Sequence, residues 1–196
     1  GAMARWIAYL LIVALLLPAA LTAAPVAAES TAFPLENCAV GAFSTEEDFM
    51  MTKGEPYDGD PYISDGDILS RDGKLCARNK DLLQPFSSQR MPDLGLDALD
   101  ILDITDRIVA FSTEIDDPGG AFSAGDLLLT TGAVIPNLAL VHGFKISADV
   151  GLDAVQFLGE REQIIQLVNA AGNISREEFL KDPARLQELL KEHKVD

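Results

Sequence analysis

The sequence of 196 residues lacks the common catalytic signatures. It contains no H-E-x-x-H or G-x-S-x-G motif, no Walker loop, no G-x-G-x-x-G and no Cys/His spacing typical of zinc. Histidine occurs only twice, at His142 and His193. These absences argue against the familiar nucleophilic, metal-dependent and nucleotide-dependent enzymes. We therefore expect no enzymatic activity and no catalytic residues.

Positive charge is scarce. Fifteen Lys and Arg stand against 31 Asp and Glu, so the formal net charge is −16. Such a surface repels nucleic acid and anionic lipid at long range. We expect no nucleic-acid partner. Divalent cations, a protein or cell-surface partner, or solubility alone remain as reasons for the acidity.

A long apolar run occurs only near the N-terminus. Arg5 precedes "WIAYLLIVALLL", and Pro18 leads into the small residues "APVAA". This order is typical of a secretory signal peptide, so residues 1–28 are predicted to be removed by cleavage after Ala28. The mature chain would then be extracellular, on the cell surface or periplasmic. The alternative is an uncleaved anchor, since residues 6–28 carry no charge and could just cross a bilayer. Only then would the membrane be a partner.

There are only two cysteines, Cys38 and Cys76. An even count in an exported chain favours a disulfide, and two ligands are too few for a structural metal site. The sequence therefore predicts a Cys38–Cys76 bond.

The chain repeats itself. "AFSTE" occurs at 42–46 and at 110–114, and the match continues through "SDGDILSRDG" and "SAGDLLLTTG", "NKDLLQPF" and "NLALVHGF", and "DLGLDAL" and "DVGLDAV". From 110 to 155 there are 19 identities in 46 residues, and the length differences fall between the matching blocks. Insertions in loops behave in this way, so the pattern indicates an internal duplication.

Each copy consists of four short elements, most of them β-branched, aromatic or alternating. In the first copy they are "CAVGAFSTE", "GDILS", "KLCARNKDLLQPF" and "LDALDIL", and in the second "DRIVAFSTE", "GDLLLT", "AVIPNLALVHGF" and "LDAVQFL". We predict a mainly β fold with two tandem repeats, 38–103 and 104–159, packed as a pseudo-twofold sandwich or barrel. About eight strands would result. The third element is ambiguous between strand and helix, because short apolar runs fit both. An α+β fold is therefore the alternative.

Residues 160–196 are predicted to form a helical tail. Ile164, Val168 and Ala171 share one helical face, and Gly172 suits the C-cap. "SREE" at 175–178 has capping-box spacing, and Asp182 with Pro183 is predicted to start a last helix with a stripe of Leu186, Leu189 and Leu190. The tail either caps the sheet or docks a partner.

The polar residues that recur are mostly acids. Oxygen ligands from carboxylates suit calcium, which predicts a site in each copy. Asp next to glycine in a turn also satisfies backbone donors without any ion, so a purely structural role is the competing interpretation. The tentative calcium ligands are Glu46, Asp48, Asp67, Asp97, Glu114, Asp116, Asp126 and Asp153.

Three functional hypotheses follow. The first is an exported, non-enzymatic binding or structural module, acidic and stabilised by calcium. The second is a subunit of a cell-envelope complex, anchored by its N-terminal helix. The third is a carboxylate-dependent hydrolase, which would need two acids in opposed environments across a cleft.

Overall fold

The computed structural model describes residues 32–86 and 93–196, and the predicted signal segment 1–28 lies outside them. The helices and strands are β1 (Ala42–Phe43), β2 (Phe49–Met50), β3 (Tyr62–Ile63), β4 (Ile68–Ser70), β5 (Leu75–Ala77), α1 (Asn79–Leu83), β6 (Leu99–Asp103), β7 (Ile108–Phe111), β8 (Leu127–Leu129), β9 (Val134–Ile135), α2 (Asn137–Leu140), α3 (Arg161–Ala171), α4 (Arg176–Lys181) and α5 (Arg185–His193). Short 3-10 turns occupy Leu35–Cys38, Gln84–Phe86 and His142–Phe144.

The nine strands of the described residues form three antiparallel sheets. Their orders are β1-β4-β5, β2-β3 and β6-β7-β8-β9. Helices α3 to α5 follow the last sheet in the chain. The fold is therefore β-rich and of the α+β type, with the C-terminal helices that the sequence predicts.

Two strand pairs share one register. In the first segment (residues 38–103) β1 pairs with β4, and in the second (residues 104–159) β7 pairs with β8. Within each pair the partners are Ala42 with Ser70, Phe43 with Leu69, Ala110 with Leu129, and Phe111 with Leu128. Each hairpin that follows closes at a glycine, where Gly73 N–H donates to Ser70 and Gly132 N–H donates to Leu129.

In both segments the third element begins as a strand and continues as a short helix. "LCA" and "VI" form β5 and β9, and the polar-led "NKDLL" and "NLAL" form α1 and α2. The β2–β3 hairpin lies between the first and second elements of the first segment and adds to the four elements predicted there. In the first element, only two residues form β1, and Cys38 lies in a 3-10 turn instead.

The fourth element of the second segment, residues 152–158, is not a strand, and that prediction is wrong. Its counterpart β6 is a strand because it pairs with β7, which follows directly in the chain. After residue 158 the chain enters α3 instead, so no following strand completes the ladder.

The sheet β6-β7-β8-β9 separates two apolar layers, because alternate residues of a strand face opposite sides. Val109, Phe111 and Leu128 face the core of the first segment, with Leu82 and Leu83 of α1. Ile108, Ala110, Leu127 and Leu129 face the other way and pack with the C-terminal helices. A third, smaller cluster joins Ile63, Leu69 and Leu75.

The helical tail caps this sheet. α3 buries the predicted Ile164, Val168 and Ala171 and ends at the predicted C-cap Gly172. The capping box of α4 is present, with Ser175 and Glu178 each bonding the other's backbone N–H. The last helix begins later than predicted, at Arg185, because Asp182 bonds through its backbone carbonyl and not its side chain.

The predicted disulfide is confirmed. Cys38 and Cys76 have Cα atoms 5.9 Å apart and are both buried. The bond joins the turn before β1 to the middle of β5. It therefore holds an edge strand whose own pairing is only two residues long.

Across residues 32–86 and 93–196, the helices are all too short or too polar to cross a membrane.

Candidate functional site

Asp67 is one of the two fully enclosed residues among the predicted metal ligands, with 1% of its surface exposed. Its Oδ1 accepts from the backbone N–H of Asn79 at 3.0 Å, and its Oδ2 accepts from that of Ser64 at 3.1 Å. The Arg78 guanidinium donates to Oδ2 at 2.8 Å. Both carboxylate oxygens are thus bound to the protein itself.

Asp126 has the same surroundings in the second segment and is also 1% exposed. Its Oδ1 accepts from Asn137 N–H at 3.0 Å, and its Oδ2 accepts from Ser123 N–H at 3.0 Å. The cation differs: Arg176 of α4 donates through Nε at 2.6 Å. A buried carboxylate needs such a partner, and here the partner ties the helical tail to the sheet.

Asn79 joins three stretches of backbone. Its Nδ2 donates to the carbonyls of Gly66 and Gly95 at 3.2 and 3.0 Å, and its Oδ1 accepts from Leu94 N–H at 3.0 Å. The side chain is 1% exposed. These bonds fasten the "SDGD" turn and the "DLGLD" loop to the start of α1.

Asn137 makes the corresponding set. Its Nδ2 donates to Gly125 and Gly151 at 3.1 and 2.9 Å, and its Oδ1 accepts from Val150 N–H at 3.0 Å. It too is 1% exposed. We call Asp67 with Asn79 the first polar network, and Asp126 with Asn137 the second.

The loop acids are also matched. Asp48 accepts from Asp65 N–H at 3.0 Å, and Asp116 accepts from Ala124 N–H at 2.8 Å. Asp48 further accepts a hydrogen bond from the Tyr62 hydroxyl, which raises the pKa of Tyr62 to about 12. Each of these two acids thus links the loop after an "AFSTE" stretch to the turn that contains "SDGD" or "SAGD".

The turn glycines are held closely by side chains. A Cβ on Gly66 would lie 2.4 Å from Asn79 Nδ2, and one on Gly125 would lie 2.0 Å from Asp149 Oδ1. A larger residue at position 66 would displace the buried amide of Asn79, whereas one at position 125 would push aside the exposed carboxylate of Asp149.

The "AFSTE" residues have equivalent bonds at both places. The hydroxyls of Ser44 and Ser112 donate to the carbonyls of Leu96 and Leu152, at 3.3 and 2.8 Å. Thr45 and Thr113 donate to carbonyls two residues ahead, at 3.1 and 2.9 Å. Ser and Thr thus pin the strand end to its neighbours.

The remaining predicted ligands form an acidic cluster: Glu46, Asp97, Glu114 and Asp153. Burial raises the pKa of Asp97, with further contributions from Asp153 and Glu46. Burial likewise raises the pKa of Glu114, with contributions from Asp65, Asp97 and Glu46. The charges of Glu46 and Asp153 therefore lie close enough to disfavour ionisation of Asp97, and those of Glu46 and Asp97 close enough to disfavour ionisation of Glu114.

Stability is expected to rise as the solution is made mildly acidic. The native pKa values of Asp65, Asp97 and Glu114 are raised, so their ionisation disfavours the folded state. The penalty is present above those native pKa values and is relieved as the pH falls through them to about 4, near the values of unfolded Asp and Glu. Unfolding in urea at a series of pH values measures this, and Glu114→Gln should be more stable than wild type at neutral pH and flatten the profile.

Further acidification should reverse the trend. The pKa of Asp58 is lowered by its hydrogen bond from Arg78, and that of Asp103 by the backbone N–H of Asp106. Their contribution is present above the unfolded pKa and is lost as the pH falls through the native one. A Glu114→Gln profile identical to that of wild type would contradict the repulsion within the cluster.

Arg78 is a residue that sequence reasoning missed. It is 5% exposed and donates to Asp58, Asp67 and the carbonyl of Asp60. Burial works against its charge, but the bonds to Asp58 and Asp67 outweigh this and raise the pKa of Arg78. Its counterpart in the alignment is Pro136, so no repeated letter marked it.

Within the described part of the chain, no group of three or more His, Cys, Asp or Glu side chains is arranged to hold a metal ion. Comparisons with protein-family models, with curated proteins and with solved structures return no match to this chain.

Proposed function

We propose that this chain is an exported, non-enzymatic structural or binding module built from two duplicated β units. The matched polar networks carry the proposal. Asp67 and Asp126 bond equivalent backbone groups, and so do Asn79 and Asn137. Equivalent bonds at equivalent sequence positions are the expected product of duplication followed by divergence in the loops.

The use of the repeated acids supports a structural role rather than a catalytic one. Asp67 and Asp126 are buried, and their oxygens accept bonds from backbone and arginine. Hydrolysis by paired carboxylates needs one acid held protonated and one ionised, both facing a substrate. The carboxylates of these networks are instead committed to holding turns and helix starts.

Export is supported by the disulfide, since such bonds persist in oxidising compartments. The anchored envelope subunit stays the alternative. N-terminal sequencing of the protein recovered from outside the cytoplasm separates them, because a chain starting at Glu29 has lost its anchor.

The C-terminal helices fit a capping role better than docking by their apolar faces. Leu167, Leu186 and Leu189 are each at most 3% exposed and pack in the protein's own core. A partner recruited by the tail would have to bind its polar surface. The outcome resembles the terminal caps of repeat proteins, which cover an otherwise open apolar face.

Calcium is the ligand that we propose for the acidic cluster. We no longer propose Asp67 and Asp126 as calcium ligands, because each already forms an ion pair with an arginine. Glu46 and Asp153 disfavour the charge of Asp97, and Glu46 and Asp97 disfavour that of Glu114, so a divalent cation among them would remove a cost that the folded chain otherwise bears. The side chains of the described residues are not arranged around a metal ion, so the proposal requires the four acids to converge on the bound calcium. Added calcium would then stabilise the native state by mass action.

The melting temperature of metal-free protein is expected to rise with added calcium and to return with chelator. Asp97→Asn should abolish the response. Glu192→Gln removes one negative charge at an exposed position of α5 and should keep the response. Differential scanning calorimetry measures the shift. An unchanged melting temperature in wild-type protein would end the calcium proposal and leave the two polar networks unaffected.

A further inference from the structure

The two fourth elements, together with the residues just before them, differ in how far their side chains are buried. In the first segment Leu94 and Ala98 are each 1% exposed. Their counterparts in the second segment are exposed, Val150 to 58%. Phe86 packs edge-on against Phe111 and Phe122, with ring centroids 6.2 and 5.6 Å away. Its counterpart Phe144 is 79% exposed. We call Phe144, Val150 and Ala154 the open surface.

The residues that pack against this part of the first segment belong to the second "AFSTE" stretch, residues 110–114. Ser112 N–H donates to Ala98 at 3.1 Å, and Asp97 N–H donates to Ser112 at 3.3 Å. Glu114 N–H donates to Leu94 at 3.0 Å. The chain thus contains one such junction, in which residues 94–98 of the first segment are hydrogen-bonded to residues 112–114 of the second.

The open surface has backbone groups ready for the same junction. Among residues 32–86 and 93–196, none accepts a hydrogen bond from the N–H of Asp153 or Ala154. Their counterparts Asp97 and Ala98 both donate to Ser112. Backbone N–H groups that lack a partner on exposed residues are available for pairing with another edge.

The matching strand is present in the same chain. The first "AFSTE", residues 42–46, begins in β1, which is the edge strand of its sheet, whereas β7 lies inside its sheet. Phe43 is 44% exposed, although its counterpart Phe111 is wholly buried. We call residues 42–46 the free edge.

We propose that the free edge of one copy of this chain docks on the open surface of a second copy, head to tail. The contact repeats the junction already made inside the chain, with Ser44 opposite Ala154 and Phe43 near Val150 and Phe144. The inference rests on the proposed duplication, because that defines which residues correspond. After one contact forms, each protein molecule still has either its free edge or its open surface unoccupied. The contact is therefore heterologous and extends into open chains.

Charge limits this association. Each chain carries a net charge of −16, and Glu46 of the free edge would approach the acids beside Val150. Salt screens such repulsion, so the assembly should strengthen as ionic strength rises.

The test is sedimentation of the full chain with two variants, Phe43→Asp on the free edge and Val150→Asp on the open surface. Wild type should form dimers and longer species as its concentration rises. Each variant alone should associate at least about tenfold more weakly, because burying an unpaired charge is unfavourable. Ile115→Asp, at a site 54% exposed and outside both surfaces, should behave as wild type.

Mixing the two variants is the decisive arm. Phe43→Asp retains an open surface and Val150→Asp retains a free edge, so the mixture should form dimers that grow no further. A monomeric wild type at every concentration and salt level overturns the proposal. So does association that neither substitution weakens, or a mixture that fails to form dimers. If Asn79→Ala still reduces the protection of the Leu94 amide, and Asn137→Ala that of Val150, such a failure leaves the duplication standing.

Discussion

Replacing Asn79 by alanine is expected to lower the free energy of unfolding by about 3 kcal/mol or more, and replacing Asn137 by about 1–2 kcal/mol. Each substitution removes three hydrogen bonds. In Asn79→Ala the groups left without a partner all belong to buried residues, Gly66, Leu94 and Gly95. In Asn137→Ala only the carbonyl of Gly125 belongs to a buried residue, and water can reach the groups of Val150 and Gly151. An unsatisfied buried group costs more than the net gain of the bond that it loses. Equilibrium unfolding in urea measures the change.

Asn173 provides the matched control. It is exposed and bonds only within α3 and the turn that follows, through Nδ2 to the carbonyl of Asn169 at 2.9 Å. Asn173→Ala should change stability by less than about 0.5 kcal/mol, as is usual for surface positions. A loss for Asn79→Ala as small as that of the control would mean that the first network does not hold the fold.

The second large effect is expected from the disulfide. Removing it by Cys38→Ala with Cys76→Ala should cost about 3–4 kcal/mol, because the bond closes a loop with a sequence separation of 38 and restricts the unfolded chain. The cost should appear in the urea midpoint. Within that loop lie β2, β3 and the short edge strand β1, which have little pairing of their own.

A reductant separates the bond from the packing of its sulfur atoms. Reduced wild type should lose most of the stability that the double variant loses, while the double variant should not respond to reductant. If reduced and oxidised wild type unfold at the same urea concentration, the disulfide contributes nothing and the stapling role is wrong.

The features that repeat in the sequence could be predicted, because the same letters obey the same local chemistry in both segments. The Asp of "SDGD" and "SAGD" was marked as a turn residue or a ligand, and it is the turn role that the hydrogen bonds display. The capping box of α4 followed from its four letters alone. Local rules suffice where the bonding partner is two to four residues away.

The features that depend on the rest of the fold could not be predicted. The letters of residues 152–158 resemble those of β6, but a strand needs a neighbour, and the chain supplies one only for β6. Arg78 and Arg176 neutralise equivalent buried acids from unrelated sequence positions. No alignment of the two segments could therefore have paired the two arginines.

Amide hydrogen exchange tests the central claim most directly, because it follows the two networks separately. The N–H of Leu94 bonds to Asn79, and that of Val150 bonds to Asn137. In Asn79→Ala the protection of Leu94 should fall most, and in Asn137→Ala that of Val150, each by more than the loss of global stability explains. Protection that is unchanged at either amide, or lost in one unit only, would contradict two units built on the same polar network.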